Sequence, residues 1–118
     1  MRRLLPLLAL AALALVAAAS SSAAAPKLTG VVGPGFTITL KSGAKVVKTL
    51  KAGTYTIVVS DKASIHDFHL FGPGVNKSTT VPFTGTQTWK VTLKAGTYTY
   101  QCDPHASAGM KGSFKVTG

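Results

Sequence analysis

The sequence predicts an all-β domain, and three observations carry that reading. Short segments alternate apolar and polar residues, turns rich in glycine and proline separate them, and helix signals are nearly absent beyond the opening residues. A sandwich and a barrel both satisfy this pattern, since each buries one face of every strand.

The opening segment stands apart from the rest. Met1-Arg2-Arg3 is basic, Leu4 to about Val16 is apolar, and Ala17 to Ala25 is built of small residues. This order describes a secretory signal peptide over residues 1–24, with Ser22 and Ala24 fitting the small-x-small rule for cleavage. The apolar run is short for a membrane span and meets Ser20-Ser21-Ser22 at once, so an uncleaved anchor is the alternative rather than the reading adopted. Such a leader places the protein in the periplasm, the extracellular space or the cell envelope. Residues 25–118 then suffice for one domain with one core.

Along that domain, Phe36-Thr37-Ile38-Thr39-Leu40 alternates apolar and hydroxyl side chains, as a half-buried strand does. Gly53 to Val59 and His66 to Phe71 are further strands. Gln87-Thr88-Trp89-Lys90-Val91-Thr92-Leu93 sends Trp89, Val91 and Leu93 inward and Thr88, Lys90 and Thr92 outward. Gly96 to Cys102 and Gly112 to Val116 complete the set. Turns fall at Gly33-Pro34-Gly35, Ser42-Gly43, Ala52-Gly53, Gly72-Pro73-Gly74 and Ala95-Gly96. The segment Thr49-Leu50-Lys51-Ala52-Gly53-Thr54-Tyr55-Thr56 recurs letter for letter from Thr92 to Thr99, and each copy reads as strand, tight turn, strand, so that two similar hairpins fit the two halves of a Greek-key sandwich.

Charge narrows the choice of partners. The chain carries 13 basic and 3 acidic residues, a net charge of +10. Without Arg2 and Arg3, eleven lysines stand against Asp61, Asp67 and Asp103, leaving +8. Such a field steers encounters with an acidic partner protein or an anionic membrane or cell surface. Nucleic acid is not expected: the leader argues for export, no arginine follows it, and the lysines are dispersed.

Cys102 is the one cysteine, and in an exported protein an unpaired thiol needs a role. It stands in Cys102-Asp103-Pro104-His105-Ala106-Ser107-Ala108-Gly109-Met110, which sets a thiolate, an imidazole and a thioether on one turn-rich stretch. These are soft donors of the kind that select copper. Period-two counting puts Cys102 on the face of Tyr98 and Tyr100, inside the domain. Asp103-Pro104 makes the turn that brings His105 beside the sulfur, and the small residues 106–109 let the chain curl back to Met110. Asp103 is read as a turn former rather than an acid–base group. The fourth donor comes from Ile65-His66-Asp67-Phe68-His69-Leu70, where His66 shares a face with Phe68 and Leu70 while His69 falls on the other. Taken singly, each of these residues is an ordinary core or strand residue. Two imidazoles, a thiolate and a methionine together are the ligand set of a blue-copper centre.

The stretch from Gly96 to Val116 resembles the metal-binding end of plastocyanin and pseudoazurin, in the cupredoxin family, in its Cys-x-x-His-x-x-x-x-Met spacing. His66-Asp67-Phe68 is similar to the pair of residues that opens the strand carrying the family's first ligand. The resemblance implies a Greek-key β-sandwich of seven to eight strands, cupredoxin-like, holding one type 1 copper ion. His66, Cys102 and His105 would form its trigonal plane and Met110 its weak axial ligand. It further implies a monomeric single-electron carrier, not an enzyme, that meets redox partner proteins at an apolar patch around His105, for which Pro104, Ala106 and Ala108 are suited. Copper buffering or delivery with the same ligands is the alternative. Two positions depart from the family pattern: Asp67 stands where asparagine is usual, and Gln101 where plastocyanins carry an exposed aromatic.

Overall fold

The computed structural model describes residues 24–118, so the leader assigned to residues 1–24 falls outside the described residues apart from Ala24. Ten strands form: β1 (Lys27–Val32), β2 (Ile38–Ser42), β3 (Lys45–Val46), β4 (Thr49–Lys51), β5 (Gly53–Asp61), β6 (His69–Gly72), β7 (Val75–Ser78), β8 (Gly85–Leu93), β9 (Gly96–Gln101) and β10 (Lys111–Thr117). A short 3-10 helix, Asp103–Ala108, lies between β9 and β10. Two five-stranded sheets result, ordered β3-β2-β1-β5-β8 and β4-β10-β9-β6-β7. Most neighbours run antiparallel, but β1 pairs parallel with β5, and β4 pairs parallel with β10. The sheets face each other as a sandwich rather than closing into a barrel.

The side-chain alternation does what the sequence predicts. In β8, Trp89, Val91 and Leu93 are buried while Thr88, Lys90 and Thr92 are exposed. In β9, Tyr98 and Tyr100 are buried, and Cys102, one residue past the strand, continues their face. Both inner faces meet in one core that includes Leu28, Leu40, Ile57, Val59, Phe68, Leu70 and Phe114. Each such side chain contributes about 1.5–3 kcal/mol by leaving water. Phe68 sits at its aromatic centre, stacked on Tyr100 with centroids 5.9 Å apart and edge-on to Trp89.

Ten strands stand where seven to eight are expected, because several pieces are too short or too polar to announce themselves. β3 is two residues and β4 three, each held along a sandwich edge by a longer neighbour. The third predicted strand begins at His69 rather than His66, so residues 66–68 approach it as loop.

The repeated octapeptide is not a pair of hairpins. In the first copy the chain leaves β4 in one sheet and enters β5 in the other; in the second it leaves β8 and enters β9, again changing sheets. The two copies make equivalent corners. Tyr55 donates its hydroxyl hydrogen to the Lys51 carbonyl at 2.6 Å, and the Lys94 amide donates to the Tyr98 hydroxyl at 2.9 Å. A tyrosine bonded to backbone four residues upstream pins a chain that must turn from one sheet to the other.

Candidate metal centre

Cys102, His105 and Met110 are set by backbone bonds that do not depend on their side chains. Cys102 precedes the 3-10 helix in extended conformation, and its carbonyl accepts the His105 amide at 3.1 Å. Pro104 fits at the helix start, where no amide donor is required. Gly109 ends the helix in the left-handed region, φ 97°, which glycine adopts without strain. The chain then returns, with the Met110 amide bonded to the His105 carbonyl at 3.2 Å and the Cys102 amide to the Met110 carbonyl at 3.0 Å. Cys102 and Met110 are buried, and His105 is half-buried.

His66 arrives from the other sheet's side, and two polar residues fix its loop. Buried Asp61 accepts the Ala63 amide at 3.3 Å and the Thr79 hydroxyl at 2.9 Å. Thr79 in turn accepts the Phe68 amide at 2.8 Å, and its own amide donates to the Phe68 carbonyl at 3.1 Å. The backbone is therefore held on both sides of His66. Burial pushes the Asp61 carboxyl up, and its bonds to Thr79 and Ala63 oppose that. Gly33 supplies the room: a Cβ there would lie 2.9 Å from His66 Cδ2, and its φ of +72° suits glycine.

Three donor atoms converge. His66 Nδ1 lies 3.0 Å from His105 Nδ1, Cys102 Sγ is 3.6 Å from the first and 3.4 Å from the second. The centre of that triangle is about 1.9 Å from each atom, close to the ~2.0 Å and ~2.3 Å typical of metal bonds to imidazole nitrogen and thiolate sulfur. Two imidazole lone pairs and a sulfur aimed at one point repel unless a cation or a shared proton lies between them. Among the described residues this is the one group of three or more histidine, cysteine or acidic side chains close enough to hold a metal ion. Burial raises the Cys102 thiol pKa, while the Asp67 and His105 amides facing the sulfur favour the thiolate. The donor set thus fits a soft cation that keeps the thiol deprotonated.

Both departures from the family pattern acquire a place. The Asp67 carboxylate accepts the Asp103 amide at 2.6 Å and the Ser78 hydroxyl at 3.2 Å. The residue after His66 is thereby tied to the residue after Cys102, and the two ligand segments are locked together by a side chain. Gln101 donates from Nε2 to Asp103 Oδ1 at 2.9 Å. His69, as its opposite face predicts, turns away from the donor triangle: Nδ1 meets Asp103 at 2.9 Å and Nε2 meets Asn76 Oδ1 at 2.6 Å.

That pair carries a pH dependence. Burial opposes the charge on His69, but the Asp103 carboxylate and Asn76 outweigh it and raise its pKa. A raised histidine pKa stabilises the fold fully below the ordinary value of about 6.5, and the gain is lost as pH rises through the folded value. The apoprotein is therefore expected to lose melting temperature from pH 6 to pH 8, and His69→Gln to flatten that slope. Calorimetry across that range checks it; an unchanged slope in the variant would refute the assignment.

Phe36 belongs to the site, although its alternation places it in a strand. It precedes β2 and is 65 % exposed. Its ring stands edge-on to both imidazoles, 5.3 Å from His66 and 4.9 Å from His105 between centroids. The signal was the Gly33-Pro34-Gly35 turn before it, which lies beside His66, whereas Gly72-Pro73-Gly74 is at the far end against Gly96 and Lys94. Pro104 and Ala108 are exposed and Ala106 half-buried around His105, as an apolar surround requires.

Known proteins share this fold. No curated protein sequence matches the chain. Reduced rusticyanin is similar in fold, with a TM-score of 0.59 and 21 % identity over 77 % of this chain and 78 % of that one. Auracyanin from Roseiflexus castenholzii gives 0.57 and 20 % identity, covering 81 % of this chain and all of that one. A multi-copper oxidase from Pediococcus acidilactici gives 0.57 and 20 % identity, but the match spans only 30 % of that longer chain. Identities this low speak for the fold. The sequence itself decides the family: residues 18–117 match the model of copper binding proteins of the plastocyanin/azurin family. With His66, Cys102 and His105 positioned to hold one copper ion, the chain belongs to the plastocyanin/azurin family of copper-binding proteins.

Proposed function

We propose that the protein is a small exported type 1 copper protein that carries single electrons between redox partners. One observation carries this reading: a buried cysteine sulfur and two imidazole nitrogens form a preset triangle whose second imidazole, His105, is half-exposed at one end of the sandwich. Bound copper supplies a one-electron couple. The chain's part is to hold the donors in one arrangement, through Asp67, Asp61 and the 3-10 helix, so that little moves when the charge changes. Met110, buried and returned to Cys102 by backbone bonds, is the weak axial ligand in this proposal. Four protein donors leave no open position for substrate, which supports a carrier rather than an oxidase. Export rests on the basic, apolar and small-residue order of residues 1–24.

Copper added to the purified protein is expected to give an intense blue thiolate band and a reversible one-electron wave with fast self-exchange. His66→Ala should lose the band and His69→Ala should keep it; the reverse would move the upstream ligand. A colourless complex would sink the type 1 centre. A blue protein with slow self-exchange that hands its metal readily to an acceptor would replace electron transfer with copper delivery.

A further inference from the structure

Three aromatic rings meet at the metal centre, and one of them belongs to no ligand. The centroids of Phe36, His66 and His105 lie 4.9 to 5.3 Å apart, and each pair of rings is edge-on at 75° to 84°. Phe36 takes no part in the hydrophobic core and is largely exposed, so folding gains little from its ring. Its backbone is nevertheless held. The Gly33 amide donates to the Thr37 carbonyl at 2.9 Å and closes a turn around Pro34, Gly35 and Phe36. That turn rests on His66, since a side chain at Gly33 would collide with the imidazole. The donors differ in what solvent can reach: His66 and Cys102 are fully buried and Met110 nearly so, whereas His105 is half-buried. Phe36 and His66 are the two rings set against the His105 imidazole.

We propose that Phe36 is a positioning residue of the centre: its ring braces the His105 imidazole against His66 and thereby slows the departure of copper. The inference rests on the reading of the site as a copper carrier and adds what keeps the ion in place between electron transfers. A buried donor is displaced only after water or a competing ligand has entered. His105 is the one donor of the triangle that solvent reaches directly, so its detachment opens the site. To swing off the metal, the imidazole must break its contact with Phe36 or push that ring aside. Edge-to-face pairs hold their geometry more firmly than the area they bury accounts for. Phe36 has no polar atom, so it adds neither a donor nor a charge, and its effect falls on geometry and rate. Ile65, next to His66 in the chain, is a second large exposed apolar residue but has no ring to set against an imidazole.

The test mixes the copper-loaded protein with excess EDTA and follows the loss of the blue band. An edge-to-face ring pair is worth roughly two- to tenfold in a rate or equilibrium, so Phe36→Leu, which loses two, should release copper on the order of tenfold faster. Phe36→Tyr keeps the ring and should stay within about twofold of wild type, as should Ile65→Ala, which trims exposed apolar surface without touching a ring pair. The metal-free protein gives a second readout. Nuclear Overhauser contacts between the His66 and His105 rings should be present in the wild type and in Phe36→Tyr and weakened in Phe36→Leu. Equal release from wild type and Phe36→Leu would overturn the proposal. So would equal acceleration in Phe36→Leu and Ile65→Ala, which would assign the effect to apolar cover rather than to the ring. A wild type that binds copper without colour would refute the carrier reading instead, and the ring contacts of the metal-free protein would still decide whether Phe36 braces His105.

Discussion

Cys102→Ala is expected to abolish the blue band and lower copper affinity by more than about 100-fold, while leaving the apoprotein folded. Positioning residues around metal ligands typically account for 10- to 100-fold in affinity, and the loss of a ligand exceeds that. Only the sulfur at one corner of the donor triangle disappears; His66 Nδ1 and His105 Nδ1, 3.0 Å apart in the wild type, are left as a borderline pair without a thiolate. The loop survives because its closing bonds run through the Cys102 backbone, to Met110 and from His105. The small void left by a fully buried sulfur costs on the order of 1 kcal/mol, a few degrees in melting temperature. A copper titration followed by absorbance, with calorimetry of the apoprotein, separates the two effects. A variant that kept the band would remove Cys102 from the centre.

The site was more legible than the sandwich around it. Cys102 and His105 lie within four residues, so their pairing reads directly from local order; His66 is reached through an alternation with Phe68 and Leu70 that the loop at 66–68, with Asp67 buried between them, does not keep. Phe36 escaped because its role depends on a long-range contact: thirty residues separate it from His66, and its alternation with Ile38 and Leu40 imitates a strand. β1 escaped for a packing reason. Its inward positions are Leu28, Gly30 and Val32, and the middle one is glycine because the Phe68 ring fills that space; a Cβ would lie 2.8 Å from Phe68 Cζ. The hydrophobic side chain that completes the pattern is therefore supplied by another segment. The octapeptide shows the opposite failure, in which identical local sequence is read correctly as a turn and wrongly as a hairpin. Whether a turn returns to its own sheet depends on what each strand pairs with, and only the Tyr55 and Tyr98 corner bonds betray the crossing.

Asp67→Asn should leave the fold intact and raise the reduction potential, whereas Asp67→Ala should damage the fold. The asparagine oxygen can still accept the Asp103 amide. Its amide hydrogens can bond to the Ser78 oxygen, freeing the one Ser78 hydrogen for the Thr79 carbonyl 2.5 Å away, so every partner stays satisfied. Alanine instead removes the partner of the part-buried Asp103 amide, at a cost of about 1–3 kcal/mol. The potential follows from charge. A carboxylate beside the thiolate favours the more positive, oxidised state, and its removal shifts the couple upward. At an effective dielectric of about 20, a unit charge several ångströms away contributes on the order of a few kcal/mol, or on the order of 100 mV for one electron. Burial raises the Asp67 pKa, with its bond from the Asp103 amide opposing that. The wild-type potential should therefore climb as pH falls through that raised value and the carboxylate takes its proton, while the asparagine variant stays high and flat. Voltammetry of both proteins across that range checks the sign. Parallel curves would place the proton elsewhere and make Asp67 a tie between the two ligand segments with no electrostatic part.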